Sequence, residues 1–204
     1  MTLRIQDLQQ LSGLDRLALA LSLDNEQKTK VKSVVDSYLK ASPHIGTTEI
    51  GKAGKGISFY NFRKDMLGLG HQDPAVIAHE LGHVDSLKDS SDFYKSLLSA
   101  SKKATKLNRD IALPAAGAVA LLLNKDPDRQ QDILRKASLV SVGLAAPNLI
   151  EEAIASYKGT KHSPEKFRAA INMLPGLASH TMHDLTPALT YAGAMKLLEL
   201  NRND

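Results

Sequence analysis

Residues 78–84 read Ala-His-Glu-Leu-Gly-His-Val, and the organisation of the whole chain can be worked out from this stretch. Asp73 and Pro74 stand shortly before it. Because Asp is favoured at a helix N-cap and Pro at the first helical position, they predict a helix over 73–89. Apolar residues recur on both sides of the histidines, as in a helix with one buried face. We therefore expect residues 78–84 to lie in the middle of a partly buried helix.

The two histidines of this helix have the spacing of a metal site. His79 and His83 are four positions apart, so both imidazoles project from the same helical face and can bind one ion. Glu80 is rotated by about 100° from His79 and can reach a water at the ion without being a ligand. A chain of this length and composition contains such a pattern by chance about 0.01 times. The stretch therefore predicts a metal centre.

The composition restricts which residues can hold the metal. The chain has 204 residues and no cysteine, which excludes disulfides, thiol catalysis and thiolate metal sites. Zn²⁺ suits two neutral imidazoles and a carboxylate, with a fourth position open for water. The ion lowers the pKa of that water, and Glu80 would accept its proton during attack on a carbonyl. We expect zinc, although manganese or iron can occupy the same ligands.

Residues 78–84 resemble the active-site helix of the zincin metallopeptidases. Metzincins continue with Gly-x-x-His, which is absent here, so the resemblance is to gluzincins, whose third ligand is a Glu on a downstream helix. It implies Glu152 as that ligand. Adjacent helical residues diverge by about 100°, so only one of Glu151 and Glu152 can reach the metal. Glu151 is then either a solvent-facing neighbour of the ligand or the ligand itself. Ser156 stands where gluzincins usually have an Asp, which leaves the support of a ligand histidine open.

The resemblance also implies supporting groups. A donor must stabilise the oxyanion, and the candidates are Tyr191 and His180, with ordinary packing or polar surface roles as alternatives. Asp85 is a candidate partner for a ligand histidine. Gluzincins bind substrate along an edge strand. Residues 58–62 and 65–70 are the candidates for this strand, and the alternative is that they form a hairpin with a purely structural role.

The remaining sequence predicts a predominantly helical α+β fold. Apolar residues make up 43% and aromatic residues 4%, which favours packed helices over extensive sheet. Short glycine-rich β-prone runs predict a small antiparallel sheet, and Gly159 predicts a helix end. Pro187 predicts a break between helices over 164–174 and 187–200. We expect one domain over 1–204, with these sections: N-terminal helices 1–41, sheet 44–72, active-site helix 73–89, apolar hairpin with the third-ligand helix 108–158, and C-terminal helices 164–204.

Two uncharged stretches bear on localisation. Residues 111–124 and 137–150 are shorter than the roughly 18–20 residues that span a bilayer. We therefore favour a buried helical hairpin, joined by the polar segment 125–136, over membrane insertion. Residues 1–23 lack the basic and apolar regions of a signal peptide, which predicts a cytoplasmic protein. A membrane-associated or virion protein is the alternative.

The predicted function is zinc-dependent hydrolysis of peptide bonds in a peptide or protein substrate, with Glu80 as general base. The formal charge of +4 does not require a nucleic-acid partner, and none is expected. The alternative is a structural, virion or membrane-associated protein in which zinc contributes folding energy only.

Overall fold

The computed structural model describes residues 3–112, 115 and 126–200, apart from the side chains at 175, 176, 179 and 180. It confirms a predominantly helical α+β fold with a small sheet. Three short 3₁₀ or π-helical turns, over 5–9, 43–47 and 108–112, connect some of the elements. The strands are β1 Leu3–Arg4, β2 Glu49–Lys52, β3 Phe59–Asn61 and β4 Met66–Leu69. The main helices are α1 Leu11–Leu21, α2 Asn25–Ala41, α3 Pro74–Leu87, α4 Asp92–Leu107, α5 Pro127–His162 and α6 Lys166–Leu200.

The sheet is mixed, so the prediction of an antiparallel sheet was wrong in part. Its strand order is β1-β2-β4-β3; β1 is antiparallel to β2 and β3 to β4, while β2 and β4 are parallel. Leu67, Gly68 and Leu69 of β4 are all buried, as in a central strand covered on both faces. The hairpin pattern predicts only the local β3–β4 pair. Of the two candidate edge strands, 58–62 contains the edge strand β3, whereas 65–70 contains the interior strand β4.

The described chain divides into two compact units, and the single domain over 1–204 stays a prediction. The first unit comprises Met1–Lys95 and Glu151–Leu177. Its apolar core surrounds α3, and the fully buried Tyr38 of α2 donates a hydrogen bond from its hydroxyl to the carbonyl of Ala78 (2.9 Å). The same core also includes Ile5, Leu8, Leu14, Leu17, Val31, Val34, Val35, Ile45, Leu67, Leu69, Ile77, Leu81 and Val84.

Two helices are longer than the sequence predicts. Gly159 does not end α5, because it serves a close helix contact: a Cβ there would lie 2.9 Å from the His79 backbone nitrogen. The predicted polar linker 125–136 belongs to α5 from Pro127 onward. Likewise α6 is one helix through Pro187, where two were predicted. A proline inside a helix costs about 3 kcal/mol. The nearby Ala188 and Tyr191 side chains are buried, and this packing favours the continuous helix.

The second unit comprises Ser96–Ile150 and Ala178–Asp204. Leu134 of α5 and Tyr191 of α6 form its small buried cluster. Polar bonds supplement this contact: the Asn108 side-chain amide donates to Ser141 Oγ (2.7 Å), and Ser138 Oγ donates to the Ala188 carbonyl (3.2 Å). The first arm of the predicted apolar hairpin, 111–124, falls almost entirely outside the described residues.

Among the described helices, α5 alone is long and apolar enough to cross a membrane by length and composition. Its most apolar 18-residue window has a mean hydropathy of 1.2, and only 22% of that window is buried. A core helix of a soluble protein is mostly buried. The prediction that 137–150 forms a buried hairpin arm was therefore wrong for most of its length, because Ser141, Ala145 and Asn148 are its only buried residues.

Candidate metal centre

Helix α3 carries the predicted histidines; the helix predicted over 73–89 is present and runs over Pro74–Leu87. The Asp73 carboxylate caps its start by accepting a hydrogen bond from the Ala75 backbone nitrogen (2.8 Å). His79 and His83 project from one face, and their ring planes stand at 83° with centroids 4.7 Å apart. Glu80 is buried, with 7% of its surface exposed. The local sequence therefore presents both imidazoles and a buried carboxylate on a rigid element.

The third predicted ligand lies opposite these histidines. Glu152 Oε2 is 3.3 Å from His79 Nε2 and 3.6 Å from His83 Nε2. One ligand atom from each of the three residues lies within 4.8 Å of the others, close enough to bind one metal ion. In a tetrahedral zinc site with bonds of about 2.0–2.2 Å, two ligand atoms are about 3.3–3.6 Å apart. The donor set and the spacing to Glu152 therefore fit zinc.

The opposite ring nitrogens of both histidines face hydrogen-bonding groups. His79 Nδ1 lies 3.2 Å from Ser156 Oγ. Ser156 therefore provides the hydrogen-bonding partner of His79 that the sequence left open. His83 Nδ1 lies 3.1 Å from Glu151 Oε1. A partner on Nδ1 orients a ligand histidine and leaves its Nε2 for the metal. Glu151 is thus neither the ligand nor a solvent-facing neighbour, the two alternatives that the sequence left open.

Glu151 is held in place by two further donors. It is buried, with 4% of its surface exposed. Its Oε1 accepts a short hydrogen bond from Ser86 Oγ, and its Oε2 accepts one from the Tyr94 hydroxyl at 3.1 Å. Burial, followed by the charge and hydrogen bond of Glu151, raises the pKa of Tyr94 to about 12, so Tyr94 remains a donor at neutral pH. Sequence reasoning missed Ser86 and Tyr94.

Three carboxylates act on the pKa of His83. Burial alone would lower the pKa of His83, but hydrogen bonds to Glu151 and Glu152 and the charge of Glu80 raise it to about 9. These three carboxylates therefore favour a positive charge at His83. A divalent cation can supply that charge in place of the proton.

Two glycines allow α3 and α5 to approach closely and bring the ligands together. A Cβ on Gly82 would lie 2.4 Å from the Ala155 carbonyl oxygen, and a Cβ on Gly159 would lie 3.0 Å from the Ala78 carbonyl carbon. The contacts pair later residues of α3 with earlier residues of α5, so the two helices run antiparallel here. Small residues at such a crossing permit backbone contact. Gly82 inside the His-Glu-Leu-Gly-His stretch was the available sequence signal for this contact.

Several other predicted residues lie elsewhere. Asp85 pairs with Lys158 (2.8 Å) and lies 3.6 Å from His44, so its predicted contact with a ligand histidine was wrong. Tyr191 belongs to the second unit, where it is 2% exposed and packs against Leu134, which is the packing role given as its alternative. The His180 side chain falls outside the described residues. An oxyanion role for either of the last two stays a prediction.

Comparison of the chain with protein-family models, curated proteins and solved structures finds no match. The fold and site therefore define the protein only by class. It is a predominantly helical α+β protein with a candidate His-His-Glu metal centre.

Proposed function

We propose that this protein is a gluzincin-like zinc peptidase that hydrolyses peptide bonds. The convergence of His79, His83 and Glu152 supports the proposal most directly. Glu152 Oε2 lies 3.3 Å from His79 Nε2 and 3.6 Å from His83 Nε2. Structural zinc sites have four protein ligands, whereas catalytic sites have three and keep one position open. Among the described residues, the candidate group has three members. This number favours catalysis over a purely structural role.

The roles of the chain's own residues follow from this arrangement. Zinc, when bound, acts as a Lewis acid and lowers the pKa of a water molecule. The Glu80 carboxylate accepts a proton from the water whose oxygen bonds to the peptide carbonyl carbon. It then donates that proton to the amine nitrogen as the C–N bond breaks. Meanwhile Ser156 and Glu151 keep the rings of His79 and His83 oriented through their Nδ1 atoms.

The substrate would lie along the sheet edge. Strand β3 packs against α3 and, among the described residues, pairs with β4 on one side only. An extended peptide can add to such an edge as a further strand, because its backbone supplies the missing hydrogen-bond partners. We therefore propose a peptide or unfolded protein segment as the substrate.

Zinc content and peptide cleavage test this proposal together. We expect purified protein to hold equimolar zinc and to cleave members of a fluorogenic peptide library, with activity lost in chelator and restored by zinc. His79→Ala should abolish both zinc binding and cleavage. His183→Ala is the matched control, because His183 contacts Arg109 in the second unit, and it should retain both. Wild-type protein without zinc affinity would refute the proposal.

The same assay separates the structural alternative. If zinc serves folding alone, chelation should lower the melting temperature sharply while no peptide is cleaved under any condition. That outcome would contradict the peptidase proposal and retain the metal site.

We also propose that the protein binds a lipid surface through α5. Leu139, Val140 and Val142 are exposed by 64%, 59% and 45%. The uncharged stretch 137–150 spans about 21 Å at 1.5 Å per residue, less than the ~30 Å bilayer core, so it fits the surface better than a crossing. The adjacent Arg135 complements anionic headgroups, whereas Lys136 is paired with Asp132 (2.6 Å).

Vesicle flotation without detergent tests the lipid proposal. Wild-type protein should float with vesicles that contain anionic lipid, and Leu139→Glu should reduce the floating fraction. Equal recovery of both proteins in the soluble fraction would refute lipid binding.

A further inference from the structure

Glu151 connects a ligand histidine to two side chains that do not touch the metal group. On one side its Oε1 faces His83 Nδ1 at 3.1 Å and also accepts from Ser86. On the other side its Oε2 accepts from the Tyr94 hydroxyl at 3.1 Å. Ser86 lies one turn after His83 on α3, and Tyr94 lies on α4. Both oxygens of one buried carboxylate are therefore occupied by donors from two helices.

The chemistry of this carboxylate has a consequence for His83. An ionised carboxylate can only accept hydrogen bonds, so the proton of a neutral His83 must be on Nδ1. The lone pair is then on Nε2, the nitrogen that faces Glu152. The Ser156 hydroxyl at His79 can donate or accept, and it does not impose a tautomer. Control of the tautomer is thus specific to His83.

We propose that Glu151 is a positioning residue whose orientation, maintained by Tyr94 and Ser86, keeps His83 in its metal-binding tautomer. The inference rests on the metal site of the proposed function, but it requires no catalysis. Outer partners of ligand histidines commonly contribute a factor of 10–100 in metal affinity. Tyr94, which is one residue further from the metal, should contribute less.

Four variants separate positioning from charge and from packing. Glu151→Met keeps the side-chain length and removes both acceptors. Glu151→Gln removes the charge and keeps one acceptor oxygen for the Nδ1 proton. Tyr94→Phe removes only the hydroxyl that anchors Oε2. Tyr157→Phe is its matched control, because Tyr157 is 69% exposed.

Zinc affinity, measured by chelator competition on folded full-length protein, is the first readout. We expect zinc to bind about 10- to 100-fold more weakly to Glu151→Met, and the loss of affinity in Glu151→Gln should be smaller. Tyr94→Phe should bind zinc about 3- to 10-fold more weakly than wild type. Tyr157→Phe should match wild type. If Glu151→Met does not fold, the pair Tyr94→Phe and Tyr157→Phe carries the test.

The second readout is the His83 ring itself. In zinc-loaded, ¹⁵N-labelled protein, the His83 Nδ1 proton should give a slowly exchanging NMR signal. Glu151→Gln should retain this signal and Glu151→Met should lose it. Unchanged zinc affinity in Glu151→Met and Tyr94→Phe would overturn the positioning role and leave the metal site standing. Absence of zinc binding by wild type would instead refute the proposed function, and this inference with it.

Discussion

Replacement of Gly82 by alanine should destabilise the protein, although the same change normally stabilises a helix. An added Cβ would lie 2.4 Å from the Ala155 carbonyl oxygen, whereas ordinary van der Waals contact begins at 3.4 Å. The contacted atoms are backbone, so α3 and α5 must separate by about 1 Å, the difference between these distances. Glu152 lies on α5, and its separation from the histidines would increase accordingly.

The expected change in the free energy of unfolding of Gly82→Ala is the sum of two opposing contributions. Overpacking a tight contact costs about 1–3 kcal/mol, and replacing a helical glycine by alanine contributes about 0.5–1 kcal/mol in the opposite direction. Because the contacted atoms are backbone, the cost lies at the upper end of its range, and we expect Gly82→Ala to lose about 2–2.5 kcal/mol of the free energy of unfolding. The matched control is Gly143→Ala, where an added Cβ meets no atom within 4 Å. That control should gain about 0.5–1 kcal/mol.

Urea denaturation with chelator present measures the stability difference, and chelator competition measures zinc affinity. Gly82→Ala should bind zinc more weakly, because ligand atoms about 3.3–3.6 Å apart suit tetrahedral zinc and a further separation of about 1 Å does not. Gly143→Ala should bind zinc as wild type does. If Gly82→Ala were stabilised as much as Gly143→Ala and kept full zinc affinity, the close crossing of α3 and α5 would be refuted.

Two further predictions concern the support of α3. Tyr38→Phe removes the hydroxyl bond to the Ala78 carbonyl and should lower the free energy of unfolding by about 1 kcal/mol in urea titrations. Burial would raise the pKa of Asp65, but hydrogen bonds from Lys88 and Thr48 outweigh it and hold that pKa below the ordinary value of an aspartate carboxyl. Its stabilising contribution is therefore present above the ordinary pKa that the carboxyl has in the unfolded chain, and it is lost as the pH falls through the lower folded-state pKa. Wild type should be more stable than Asp65→Asn at neutral pH, and denaturation at decreasing pH should show this advantage disappearing in acid; a constant difference would contradict the assignment.

The sequence predicts the centre of the fold well because its signals there are local. Asp73 and Pro74 begin α3 as capping chemistry requires, and the i,i+4 histidine spacing places both rings on one face. Glu152 followed from a resemblance, and the structure brings it to these histidines. The role of Glu151 was not predictable, because it depends on contacts with Ser86 and Tyr94, 65 and 57 positions earlier in the chain.

Signals with two physical meanings account for the remaining errors. Gly159 can end a helix or permit a close helix contact, and only the packing of α5 against His79 shows that the second applies. Pro187 interrupts a helix by local propensity, but tertiary contacts in the second unit maintain α6 through it. The parallel pairing of β2 with β4 joins strands that are not consecutive, which local periodicity does not encode.

Peptide cleavage by zinc-loaded Glu80→Gln, compared with wild type at equal zinc occupancy, tests the central claim most directly. The substitution keeps the shape of the buried side chain and removes its ability to accept a proton from water. We expect Glu80→Gln to bind equimolar zinc with near wild-type affinity and to lose cleavage by at least about 100-fold. Cleavage by Glu80→Gln at the wild-type rate would contradict the assignment of Glu80 as the general base of a zinc peptidase.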